Sequence, residues 1–256
     1  MIALLLACTV VDAPETLEDM MVFGFEHFHD DPAYLAAMTE NLVPAVDMQV
    51  DAVREGYRVN NLTPDALASA GVENADVSSI LGAMGSGDYR HPLSELMVPM
   101  LAYNRAELFD NIRKFALVEE DGDRRCFQAV DCEDYAFVAE QTIEASLLGE
   151  ASQVFTNEWR WIDTDAGPVL FSRTFTPDGV QFTTDLMVIH QQYGLAVIYP
   201  QPNAPAPRRV EAFWVEGEFI GIDVPAYFAV ETTAKAMGQQ AARLDAWVDV
   251  KSPPAE

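Results

Sequence analysis

Apolar residues recur along this chain in two rhythms, and the change from one to the other divides it. Leu17, Met20, Met21, Phe25 and Phe28 fall at steps of three and four, the spacing of one helical face. Asp31-Pro32 supplies a cap and a first-turn proline for a second helix. Its stripe runs through Leu35, Met38, Leu42, Val46, Val50, Val53 and Tyr57, with Pro44 placed to kink or split it. Asn60-Asn61-Leu62-Thr63-Pro64 ends that helix and opens another. The glycine-rich stretch from Gly82 to Asp88 predicts a loop. Leu93, Leu96, Met97, Met100, Leu101, Leu108, Phe109 and Ile112 then predict a long helix with Pro99 inside it.

Near residue 135 the period shortens to two. Phe137, Ala139, Gln141 and Ile143 alternate with Val138, Glu140, Thr142 and Glu144, which is strand spacing. Phe155, Trp159 and Trp161 share a face of 153–163; Val169, Phe171, Arg173 and Phe175 follow, then runs at 180–189, 193–199 and 209–220. Asp165-Ala166-Gly167-Pro168 and Pro177-Asp178-Gly179 read as hairpin turns. Links this short make consecutive strands antiparallel neighbours. Asp223-Val224-Pro225 starts a last helix, striped by Val230, Ala234, Met237, Ala241, Leu244 and Val248, and a one-faced sheet needs such a cover. The expected class is α+β: a helical N-terminal half packed with an antiparallel β-meander and a long C-terminal helix. Three segments follow: 1–14 as residual signal and tether, 15–120 as a helical region, and 121–250 as sheet plus helix. The last two form one globular unit.

Composition narrows the partners. Half of the 256 residues are apolar and 10% aromatic, enough for a sizeable core. Lys and Arg number 15 against 41 Asp and Glu, a formal charge of −26. Nucleic acids and anionic headgroups require a basic patch to release counterions, and basic clusters here amount to pairs such as Arg124-Arg125 and Arg208-Arg209. Nucleic acid is therefore excluded as a partner.

The apolar run from Met1 to Cys8 is far shorter than the ~20 residues that span a bilayer. Leu5-Leu6-Ala7-Cys8 resembles the lipobox of bacterial lipoproteins: an aliphatic residue, two mostly small ones, and the cysteine that becomes lipidated. Leu6 is bulkier than usual at its position. No Lys or Arg precedes the run, so either the signal begins upstream of Met1 or the four residues match by coincidence. The resemblance implies a lipid on Cys8, the membrane as partner through that lipid, and an address in the bacterial cell envelope. Thr9, rather than Asp, after the cysteine implies the outer membrane. Cys126 and Cys132 form a C-x5-C pair without the further ligands of a structural zinc site. In an exported protein such a pair reads as a disulfide, in a cytosolic one as two free thiols.

No catalytic constellation, metal site or cofactor motif emerges. Glu26-His27-Phe28-His29-Asp30-Asp31 gathers two imidazoles and three carboxylates, yet helical residues two apart diverge. The histidines converge only if the helix ends by Phe28. Ser86, Asp88 and His91 lack an elbow or oxyanion hole, and Gly82, Gly85 and Gly87 lack the G-K-[ST] of a phosphate loop. Asp121-Gly122-Asp123 and Asp163-Thr164-Asp165 lack the rest of a calcium loop and read as hairpin turns. Trp159, Trp161, Phe171, Phe213 and Trp214, with Met237 and Leu244 of the last helix, are candidates to line a ligand cavity between sheet and helix. The alternative is an ordinary packed core.

Two resemblances extend beyond the lipobox. Residues 137–248 resemble the later half of a helix-grip (START or Bet v 1-like) domain, in which an antiparallel sheet wraps a long C-terminal helix. The run from Trp214 to Pro225 carries that likeness: a final strand, a glycine turn and a proline leading into the helix. The stretches 55–63, 126–132 and 159–168 also resemble those of acidic lipoproteins of predatory and social delta-class bacteria, which implies a type and no activity. The expected function is a non-enzymatic, membrane-anchored envelope lipoprotein binding a small apolar ligand. Its alternative is an envelope interaction or structural protein with a packed core.

Overall fold

The computed structural model describes residues 11–73, 76–102, 105–144, 149–202, 204–220 and 226–251; Cys8 lies outside them. Four helices lead: α1 (Leu17–Glu26), α2 (Pro32–Met48), α3 (Val50–Glu55) and α4 (Pro64–Ser69), with β1 (Tyr57–Val59) between the last two. Next come β2 (Leu81–Asp88), α5 (Leu93–Met100), a 3-10 turn (Arg105–Glu107), β3 (Ile112–Asp121) and α6 (Arg124–Gln128). The strands β4 (Asp134–Glu144), β5 (Glu150–Thr164), β6 (Gly167–Thr176), β7 (Gln181–Phe182), β8 (Met187–Tyr199) and β9 (Arg208–Phe219) precede α7 (Ala226–Lys251). The class is α+β. All strands join one antiparallel sheet in the order β1-β2-β9-β8-β6-β5-β4-β3, with β7 beside β5.

Side-chain caps start the leading helices. Thr16, Asp31 and Thr63 accept from the backbone N–H groups of Asp19, Ala33 and Ala66, satisfying donors that a helix start leaves open. Pro44 is accommodated inside α2, and the break falls later, at Gln49.

The helices are not confined to the N-terminal half, and three local expectations change. The glycine-rich stretch is a strand, β2, paired with β1 and β9. Its glycines answer to close packing: a Cβ at Gly82 would meet Trp214 Nε1 at 2.6 Å, and one at Gly85 would meet Met237 Sδ at 2.9 Å. The long helix expected over 93–112 stops at Met100, with Pro99 in its last turn, and Ile112 instead opens β3. Asp121-Gly122-Asp123 is a strand-to-helix link, where the Asp123 carboxylate accepts from Arg125 and Cys126 N–H to cap α6. Cys126 and Cys132 are joined in a disulfide with Cα atoms 5.4 Å apart, tying the end of α6 to the entry of β4.

Both faces of the sheet are covered. On one, α1 to α4 pack Met20, Phe25, Leu35 and Met38 against Phe171, Tyr193, Leu195, Val197 and Trp214. On the other, α5, α6 and α7 pack Leu96, Phe127, Leu244 and Val248 against Phe137, Trp159, Trp161 and Leu170. The sheet that packs with α7 extends beyond the expected 137–248, because β2 pairs with β9 and lies beneath α7. The far end of α7 is pinned there. Asp245, 2% exposed, accepts from Arg90 N–H at 3.1 Å, and Asp249 accepts from the Arg90 and His91 side chains at 2.7 and 2.8 Å.

Two sheet arginines hold the N-terminal helices down. Arg173 Nη1 donates to Phe25 O at 3.0 Å, and Arg160 Nη1 to Phe28 O and Asp30 O, both at 2.8 Å. Helix α1 has no basic residue in its last turn; Arg173 meets the Phe25 carbonyl there from outside, and Arg160 meets two carbonyls of the turn that follows.

Candidate functional site

A cavity of about 280 Å³ lies between the sheet and the roof formed by α5, the 3-10 turn and α7. Its floor is one parity of every central strand: Phe155, Asn157 and Trp159 on β5, Ser172 and Thr174 on β6, Gly194 on β8, and Arg209, Glu211 and Phe213 on β9. Asn157, Thr174, Gly194 and Phe213 stand directly opposite one another, a row running across four strands. Gly194 leaves the gap in that row. A Cβ added there would find ordinary contacts, the nearest being Phe213 at 3.5 Å. Pro99, Met100 and Arg105 close the roof with Gln240 and Leu244.

The floor is polar and internally bonded. The Asn157 amide donates to Ser172 Oγ at 3.0 Å and to Thr174 Oγ1 at 2.5 Å, and the Gln192 amide donates to Gln153 at 2.6 Å. Arg209 Nη2 lies 2.8 Å from Glu211 Oε2, and its Nη1 donates to Tyr89 Oη at 3.4 Å. Burial opposes the Arg209 charge, but Glu211 and Tyr89 outweigh it and raise its pKa. Arg105 is the contrast. It stacks 5.4 Å from the centre of the Phe115 ring, 5.8 Å from Phe137 and 6.0 Å from Phe155. Its one hydrogen bond among the described residues is a long one, Nη2 to Met100 O at 3.4 Å, and its enclosed Nε has no partner among them. Burial, then the Arg209 charge, lower its pKa to about 10, which still leaves it cationic at neutral pH. Trp159 Nε1 is likewise enclosed without a partner.

The seven expected site residues separate. Trp159, Phe213 and Leu244 meet in the cavity. Trp161 lines a different, outward apolar groove of about 530 Å³ with Leu93, Met97, Val130 and Pro168, and its indole donates to Phe127 O at 3.0 Å. Phe171 and Trp214 project from the opposite face into the core under α1, where Trp214 Nε1 donates to Asn60 O at 2.8 Å. Met237 packs against Gly85. Phe171 and Trp214 differ in parity from Trp159 and Phe213, so they point to the opposite face of the sheet and share no pocket with them. The cavity is accordingly more polar than an aromatic-lined apolar site. Arg105, Arg209, Asn157 and Gln153 fall outside the aromatic set; the three strand residues carry a signal, polar side chains at matching parity on successive strands, whereas Arg105 on its 3-10 turn carries none.

The other candidate clusters are dispersed. His27 Nδ1 faces Asp30 at 2.6 Å, whereas His29 Nε2 faces Glu158 at 3.0 Å, so the two imidazoles serve different carboxylates. Asp88 holds Arg208 at 2.7 Å and also Arg54, while His91 turns to Asp249. Among the described residues no three His, Cys, Asp or Glu side chains gather as a metal site.

No protein-family model matches the chain, and no curated protein does. Among solved structures, TTHA0849 from Thermus thermophilus is similar at 10% identity and a TM-score of 0.42, over 66% of this chain and 97% of that one. Ara h 8.0201 is similar at 8% identity and a TM-score of 0.40, over the same shares.

Proposed function

We propose that this chain is a non-catalytic lipoprotein of the bacterial envelope, anchored through Cys8, that holds a small ligand between its sheet and α7. The observation that carries this reading is the roofed cavity itself. Polar side chains under a helical roof are unfavourable unless bonded, yet Trp159 Nε1 and Arg105 Nε remain enclosed without partners. Convergent polar groups beside a few apolar ones are how ligand pockets fix orientation, and about 280 Å³ lies just under the ~300–1,000 Å³ typical of such sites. The apolar side chains of Phe155, Trp159, Phe213 and Leu244 suit a ring or short apolar body, and the polar floor residues between them suit its polar substituents. The ligand is thus smaller and less purely apolar than the sequence alone implies. The titratable lining groups are Arg105, Arg209 and Glu211, and Arg209 engages the Glu211 carboxylate, which favours binding over proton transfer.

Gly194→Leu provides the test, since its side chain would grow into the cavity from a position with room for Cβ. Native mass spectrometry of wild type purified from its own host should show a bound small molecule that Gly194→Leu lacks, with circular dichroism unchanged. An unloaded wild type that also takes up no aromatic probe refutes the reading.

A further inference from the structure

Arg105 stands apart from the other interior arginines. Arg160 lies 3.4 Å from Asp134, Arg173 2.7 Å from Glu158, Arg208 2.7 Å from Asp88, and Arg209 2.8 Å from Glu211. Arg105 has no carboxylate within ion-pairing distance among the described residues, although it lines the cavity and keeps some accessible surface. Three phenyl rings replace part of its lost hydration through their faces, but an aromatic face offers no acceptor for guanidinium N–H groups. A desolvated cation with open donors is unfavourable by itself and becomes favourable with an anion beside it. Arg209 does not compete for that anion, because Glu211 already neutralises it. The cavity therefore has one uncompensated positive charge.

We propose that the cavity binds a small monocarboxylate, its headgroup on Arg105 and its apolar body against Phe155, Trp159 and Phe213. This rests on the cavity being a ligand site. One cation balances one negative charge, and the planar fork of a guanidinium matches a carboxylate in two parallel bonds. Trp159 Nε1 adds an unpartnered donor on the same cavity.

Calorimetry with 2-naphthoate and 2-naphthalenemethanol, matched in ring and close in size, decides it. Wild type should bind the carboxylate about tenfold or more tightly than the alcohol, the scale of a charge-assisted hydrogen bond. Arg105→Gln should abolish that preference without weakening the alcohol, and Arg105→Lys should retain part of it. Equal wild-type affinities overturn the monocarboxylate and leave the cavity reading intact. Binding of neither probe, or binding that Gly194→Leu leaves unchanged, overturns both. Should Arg105→Gln fail to fold, the wild-type comparison and Arg105→Lys settle the question by the same criteria.

Discussion

Replacing Arg173 by Met would remove a cation from the interior while keeping most of its apolar stem. Arg173 is 1% exposed and donates from Nε to Glu158 at 2.7 Å, from Nη1 to Phe25 O and Ser69 Oγ at 3.0 Å, and from Nη2 to Ser69 O at 3.3 Å. Its guanidinium also lies 4.8 Å from the Phe28 ring centre and 5.3 Å from that of Phe25. Breaking a buried ion pair by removing one partner costs about 3–5 kcal/mol, chiefly through the charge left behind. Glu158 keeps His29 at 3.0 Å, which favours the lower end, about 3 kcal/mol. That is a large part of the ~5–15 kcal/mol that stabilises a typical domain. Urea unfolding of Arg173→Met, Glu158→Gln and the double variant measures it, and the pair should couple by about 1–3 kcal/mol. Acid adds an independent check. Burial pushes the Glu158 pKa up, but His29 and Arg173 outweigh it and hold the folded value below the usual 4.5. A depressed carboxyl stabilises the fold fully above about pH 4.5, and that contribution is lost as pH falls through the folded value. Arg173→Met should shrink this acid-sensitive part. A loss below about 1 kcal/mol, or the same loss in the Glu158→Gln background, would refute the claim that Arg173, held by Glu158, clamps α1 to the sheet.

Leu244 is 2% exposed yet lines the cavity, so Leu244→Ala should enlarge an existing void and cost about 2–3 kcal/mol in urea unfolding, the low end for a buried leucine. A cost above about 4 kcal/mol would indicate solid packing at that point. Loss of the Cys126–Cys132 bond in a double alanine variant should lower stability by about 2–3 kcal/mol, as expected for closing so short a loop; an unchanged urea midpoint would contradict it. An alkyne-tagged fatty acid should label wild type in a bacterial host and leave Cys8→Ser unlabelled, whereas equal labelling would remove the anchor. In stopped flow, 2-naphthoate association should accelerate with added salt because the −26 surface repels it, and slowing with salt would mean that a basic surface guides entry.

Much of the architecture was legible because periodicity records burial. The stripes of α1, α2 and α7 and the alternation of β4, β5, β6, β8 and β9 follow directly from which side chains leave water, whereas the run expected over 180–189 divides into β7, a turn and the start of β8. The misread segments are those where packing overrode that signal. β2 looked like a loop because Gly82 and Gly85 admit Trp214 and α7 at distances no side chain tolerates. The segment after α5 looked helical because Leu108, Phe109 and Ile112 are all buried in the same core, whichever backbone carries them. The site was harder to see. A strand with polar residues at alternate positions ordinarily faces water, so nothing in the sequence marks Ser172, Thr174 and Gln192 as interior. Only the roof turns that face into an interior, and its cation Arg105 comes from a short turn that no periodicity singles out.

The same geometry explains how so acidic a chain can attract an anion. Arg160, Arg173, Arg208 and Arg209 are no more than 8% exposed, and Arg105 faces the cavity, so five of fifteen cations serve the interior. Their withdrawal leaves the outer surface more acidic still. Surface charge acts over a Debye length of about 8–10 Å at ordinary salt, and its repulsion grows with the charge of the incoming molecule. Inside, the lower dielectric strengthens the pull of one guanidinium, but only one such charge is uncompensated. A dianion would meet greater repulsion outside and leave half its charge unmatched within, while a neutral molecule would leave Arg105 unanswered. The two effects together favour small monoanions with apolar bodies, a selectivity that neither the surface charge nor the cavity produces alone.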